Sequence, residues 1–97
     1  MLTICALYKF TRLDDFEEIQ SSLKLFLDSL NIRGTLLLAR EGVNGTIAGD
    51  NDSIMKSLDY LQKDGRLAGL EYKLSYSEKP PFKRLKVKLK KEIVTLG

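Results

Sequence analysis

The chain has 97 residues, 43% of them hydrophobic, with a formal net charge of +3, one cysteine and no histidine. That describes one small globular domain with a modest core and little room for a deep pocket. A lone cysteine excludes an internal disulfide, and with Cys5 alone and no histidine a zinc, haem or iron–sulfur site is not expected and a triad that needs an imidazole is excluded within this chain. The opening MLTICALYKF is too short an apolar stretch for a membrane span and lacks the basic leader of a signal peptide. The expected location is therefore the cytoplasm, in keeping with a single free thiol.

Thr3 to Phe10 is rich in β-branched and aromatic residues without a breaker and predicts a first strand. From Asp14 the period changes. Asp14 with Glu17 has the form of an N-cap and its reciprocal partner, and Phe16, Ile19, Leu23, Phe26, Leu27 and Leu30 recur at helical spacing, so a helix is predicted to end near Asn31. Gly34 to Gly49, GTLLLAREGVNGTIAG, reads as a hairpin. An apolar run from Thr35 to Ala39 breaks at Glu41-Gly42 and restarts as an alternating segment from Val43 to Ala48. A turn at Glu41-Gly42 gives strands of matched length and sends Val43, Gly45 and Ile47 to one side and Asn44 and Thr46 to the other; Asn44-Gly45 is the competing turn.

Asp50, Asn51 and Asp52 cap a second helix with the stripe Ile54, Leu58 and Leu61, which ends at Asp64-Gly65. Leu70 to Ser77 alternates as a fourth strand, Pro80-Pro81 marks a loop, and Arg84 to Lys90 is one more strand. Strand, helix, strand, strand, helix, strand, with an added strand, predicts a split βαβ sandwich: an α+β, ferredoxin-like or acylphosphatase-like fold with both helices on one face of an antiparallel sheet. The other face is left open. The position of the added strand, edge or centre, is left open too.

Charge is distributed unevenly. Residues 1–78 carry nine Lys/Arg against twelve Asp/Glu, a net −3, whereas residues 79–97 carry seven against one, a net +6. Period-two alternation in the last strand sends Leu85, Val87 and Leu89 to the core and lines up Arg84, Lys86, Lys88 and Lys90 on the other side, about 6.6–6.8 Å apart. That is close to the spacing of phosphates along a nucleic acid, and Lys79, Lys83 and Lys91 thicken the stripe. The alternative is a solvated strand whose lysines guard a sheet edge. A second candidate is the hairpin tip, where Arg40, Glu41 and Asn44 stand beside two glycines that would let backbone approach a ligand; the alternative is that the glycines serve the turn and the charges solvate it.

Tyr8, Tyr60, Tyr72 and Tyr76 would stack on bases if any lay on the open sheet face, although Tyr72 and Tyr76 share a strand face with Leu74 and are expected to pack. Cys5, in an apolar strand with no basic neighbour in sequence, is expected to be a small core residue. Hydrolysis of an acyl phosphate would need an anion cradle around Arg12 with Asn44 positioning water, but the loop Phe10-Thr11-Arg12-Leu13 has no glycine to curl around a phosphate.

GTLLLAREGVNGTIAG and the closing FKRLKVKLKKEIVTLG, Phe82 to Gly97, closely resemble the N-terminal acylphosphatase-like domain of the rhodanese-related tRNA uridine hydroxylases, also designated UPF0176. The resemblance covers nearly the whole chain. It implies a domain that precedes a rhodanese domain bearing the reactive cysteine, in an oxidoreductase that makes 5-hydroxyuridine at the wobble position of certain tRNAs in an oxygen-dependent reaction. On that resemblance, residues 1–97 are expected to be a single domain, the N-terminal fragment of a longer protein, with no cofactor, metal or catalytic residue of its own and no activity in isolation. Its expected partner is tRNA, held by Lys83, Arg84, Lys86, Lys88, Lys90 and Lys91. The alternative is a domain that packs on the rhodanese domain of the parent chain without touching RNA.

Overall fold

The computed structural model describes residues 1–91, so the Glu92–Gly97 end of the second motif lies outside the described residues. Seven elements follow in order: β1 (Leu2–Phe10), α1 (Phe16–Ser29), β2 (Arg33–Ala39), β3 (Gly42–Gly49), α2 (Asn51–Gln62), β4 (Glu71–Ser77) and β5 (Leu85–Leu89). They form a five-stranded sheet in the order β4-β1-β3-β2-β5. The four strands of the split βαβ unit pair antiparallel, as expected, while β5 is added at the edge and runs parallel to β2, making the sheet mixed. The fold is α+β and ferredoxin-like/acylphosphatase-like.

The hairpin turns at Arg40-Glu41, one residue before the expected Glu41-Gly42, since Gly42 already pairs with Ala39 as the first residue of β3. Gly42 has φ +139°, and a Cβ there would stand 2.0 Å from the Lys9 carbonyl oxygen, so β3 could not lie so close to β1 with any other residue at this position. Asn44-Gly45, the rival turn, lies inside β3.

The helical stripes bury as their spacing requires. Leu23 and Leu27 of α1 and Ile54, Leu58 and Leu61 of α2 close over Cys5, Leu7, Leu36, Leu38, Val43 and Ile47 of the sheet. In the cleft between the helices Phe26 and Tyr60 stack with ring centroids 4.1 Å apart. The first helix ends in a left-handed residue, Asn31 at φ 60°, and the amides of Ile32 and Asn31 return to the carbonyls of Leu27 and Asp28 at 3.1 and 3.0 Å. This double closure satisfies two end carbonyls and swings Ile32 into the core.

The capping box expected at Asp14 and Glu17 does not form. The N-cap is Asp15, with no side-chain capping bond. Asp14 instead takes Arg12 at 3.0 Å and Arg40 at 3.7 Å, and Asp15 takes Arg66 at 2.7 Å. A guanidinium offers each carboxylate a full opposite charge and several N–H donors, where a capping amide offers a single donor.

The link from β4 to β5 has to pass from one edge of the sheet to the other, four strand spacings or about 19 Å. Both strands meet it at the same end, since Ser77 lies beside Leu2 and Leu85 beside Gly34. Residues 78–84 therefore run across that end, where Pro80, Pro81 and Phe82 line a depression with Leu2, Arg33 and Ala48. Paired prolines suit this segment, because each fixes φ and biases its predecessor to extended backbone.

Candidate nucleic-acid interface

Parallel pairing with β2 fixes which way β5 presents its side chains. Lys86 lies opposite Thr35, Val87 opposite Leu36 and Lys88 opposite Leu37. Leu36 is buried under the helices, so Val87 is carried into the core and Lys86 and Lys88 to the open face. Leu85 and Val87 are buried as expected. Leu89 is not: it is 38% exposed, because β5 ends there beside Phe16 at the first turn of α1, which covers only part of it. The outer edge of β5 is closed by α1, whose Gln20 amide donates to the Val87 carbonyl at 2.6 Å. Flanking the strand, the Arg84 carbonyl accepts from Gly34 N–H and the Lys90 N–H donates to the Leu38 carbonyl, each at 2.8 Å.

Lys83, Arg84, Lys86, Lys88, Lys90 and Lys91 are all exposed. None of them is paired with a carboxylate among the described residues. At the far end of the row the two candidate sites of the sequence meet, for Lys91 lines one depression with Arg12, Arg40 and Glu41. Asn44 is not part of that tip. It sits two residues into β3 and, by alternation, on the open face beside Tyr8.

Pleating extends the charged row across the sheet. One transverse row reads Lys73, Ala6, Thr46, Thr35, Lys86, and the next reads Glu71, Tyr8, Asn44, Leu37, Lys88. Lysines thus stand at both edges of an otherwise mostly uncharged face, and Arg33 starts the β2 row beside them. Lys73 and Arg33 carried no signal in the sequence, because their place depends on pairings between distant strands. Among the tyrosines, Tyr8 alone is on the open face. Tyr60 is committed to Phe26, whereas Tyr72 and Tyr76 lie on the helix side of β4 but remain exposed, against expectation, since α2 sits over β1 and β3 and leaves β4 uncovered.

The alternative chemistries fare poorly in this geometry. Burial pushes the Cys5 thiol up to about 11, the reverse of what a nucleophile needs. In the loop after β1, the Thr11 and Leu13 amides donate to the Glu41 and Arg40 carbonyls at 2.9 and 2.8 Å, so neither is free to cradle a phosphate, and Arg12 is tied to Asp14. No group of three or more His, Cys, Asp or Glu side chains that could hold a metal occurs among the described residues. No helix among them is long and apolar enough to cross a membrane.

Solved structures of BLUF proteins share this fold. BlrB in its dark state superposes with a TM-score of 0.75 at 18% identity, covering 91% of this chain and 72% of that one. The BLUF domain of BlrP1, a protein of Klebsiella pneumoniae, gives 0.75 at 18% identity over 94% of this chain and 65% of that one. A bacterial light-regulated adenylyl cyclase gives 0.70 at 22% identity over 92% of this chain, which spans only 28% of the cyclase. At such identities the likeness is one of fold. A family model, in contrast, matches nearly end to end, over residues 2–93, and by that match the chain belongs to the UPF0176 acylphosphatase-like domain family.

Proposed function

We propose that this chain is an accessory domain that holds tRNA for a tRNA uridine hydroxylase forming 5-hydroxyuridine at the wobble position, the chemistry being supplied by a rhodanese domain elsewhere in the parent protein. The observation that carries the reading is the cation row of β5, exposed on the open face, without a carboxylate partner among the described residues, and continued by Lys91 toward Arg40 at the hairpin tip and Arg12 in the loop after β1. Membership of the UPF0176 domain family and the resemblance of both motifs to the hydroxylases support the choice of polyanion. Contacts from such a row go to phosphates, so they position the RNA and leave the choice of nucleotide to other groups.

Four cations engaging single-stranded or loop phosphates give a slope of log K against log salt of roughly −3, and Lys86→Glu/Lys88→Glu should flatten it by more than about one unit. Titrating labelled tRNA at several salt concentrations checks this. One observation favours a second reading, in which the open face packs on the rhodanese domain: Ile4 and Leu37 lie half-buried there. On that reading the double change weakens docking to the rhodanese domain and leaves tRNA affinity and slope unchanged, which would end the RNA-binding proposal.

A further inference from the structure

The open face holds a feature that phosphate binding does not use. Tyr8 and Phe10, two residues apart on β1, both project from it and are 44% and 56% exposed, an unusual placement for two large aromatic side chains on one sheet face. Their rings meet edge to face with centroids 6.1 Å apart, an arrangement that steadies both without stacking one on the other and so leaves a flat surface free. The Tyr8 hydroxyl donates to Glu71 across the β1–β4 pair, which fixes the ring's direction and raises the phenol's pKa. Beside the ring is an open depression of about 620 Å³ whose lining includes Asn44, Thr46, Glu71 and Lys73.

From this we infer that the face binds an unpaired nucleobase of a single-stranded RNA, stacked against Tyr8. Asn44 offers both a donor and an acceptor to the edge of the base, Thr46 a hydroxyl, and Glu71 an acceptor for amino or imino hydrogens. Charge complementarity selects this occupant over an apolar protein surface, since lysines border the face at both edges: Lys73 on β4, and Lys86 and Lys88 on β5. Tyr8 and Lys88 share one transverse row and are three strand spacings apart, about 14 Å. A strand whose base stacks on Tyr8 therefore has its phosphates over the cation row a few nucleotides further on. The inference rests on the tRNA-holding reading and adds to it a site that distinguishes a base from a bare backbone.

The test compares binding of labelled hexauridylate and of an abasic hexamer with the same phosphates by this chain, using fluorescence anisotropy and the NMR signals of the Asn44 side-chain amide. A stacked base adds about 1–3 kcal/mol, so the base-bearing RNA should bind roughly tenfold more tightly and should alone move the Asn44 signal. Tyr8→Ala should bring the ratio of the two affinities to about one without altering the salt slope, and Tyr8→Phe should keep most of the preference. Tyr76→Ala, an exposed tyrosine on the other side of the sheet and outside the lining of the depression, should leave the ratio alone. Equal affinities for the two oligomers in the native chain, a ratio unmoved by Tyr8→Ala, or an Asn44 signal indifferent to the base would each overturn the base site while leaving the phosphate row standing. If neither oligomer binds at low salt, both proposals fall.

Discussion

A single added methyl group tests how closely β2 and β3 approach. Gly45 lies opposite Leu36 at φ +158°, and a Cβ there would meet the Thr35 carbonyl oxygen at 2.1 Å. Gly45→Ala is therefore expected to cost at least about 1–3 kcal/mol, from backbone strain alone, and to lower the melting temperature accordingly. Thermal unfolding by circular dichroism checks it. The glycines were legible in the sequence as turn-makers, but their division of labour was not. Gly42 lets β3 approach β1 at its first residue, while Gly45 lets it approach β2 in mid-strand, and only the presence of β1 and β2 on either side of β3 makes that distinction. Cys5 offers a second test at this scale. Its buried thiol, pushed up to about 11, is expected to resist a thiol reagent at pH 8 in the folded chain and to react at the normal rate in denaturant.

Between elements, the arginine that follows α2 joins both helices at one end. Arg66 donates to Asp15 at the start of α1 and to Asp64 just beyond α2, at 2.7 and 2.6 Å. Its hydrogen bonds hold both carboxyls below the usual aspartate range. A group with a depressed folded pKa stabilises the fold fully above its unfolded pKa and loses that contribution as pH falls through the folded value. Arg66→Ala should therefore be less stable than the native chain at pH 7, and the difference should shrink once pH drops below about 4. Urea unfolding at a series of pH values measures it. A gap that stayed constant down to pH 2 would mean Arg66 acts through packing alone. The stripes of both helices were legible because each needs only its own 3.6-residue period. The capping was not, since Asp15 is claimed by a residue 51 positions away, and local rules of capping do not see such a partner.

At the scale of the whole molecule, the strands, the hairpin and the central unit could be read from the chain, whereas the exposure of Leu89, Tyr72 and Tyr76 could not, because it depends on how far the helices reach over the sheet edges. Nor could neighbour relations. That β5 lies at the edge, parallel to β2, depends on the crossing of residues 78–84 from the opposite edge, and with it goes the meeting of Lys91 with Arg12 and Arg40. The same placement leaves β5 short and paired on one side only, with α1 bracing the other. Its amides that bond to β2 are expected to exchange with solvent deuterium faster than those between β1 and β3. Gln20→Ala removes the 2.6 Å brace, a loss of about 1 kcal/mol, and should speed β5 exchange roughly fivefold while leaving the central pair unchanged.

Because an opening limited to β5 releases a strand and not the fold, it also parts the molecule's two charges. Residues 1–78 carry a net −3 and residues 79–97 a net +6. With β5 seated, one face of the sheet is a cationic surface of fixed geometry. With β5 lifted, Lys86 and Lys88 leave that face and the charged side chains the other strands still place on it are Arg33, Lys73 and Glu71, so most of its cationic character is set by whether five residues are paired.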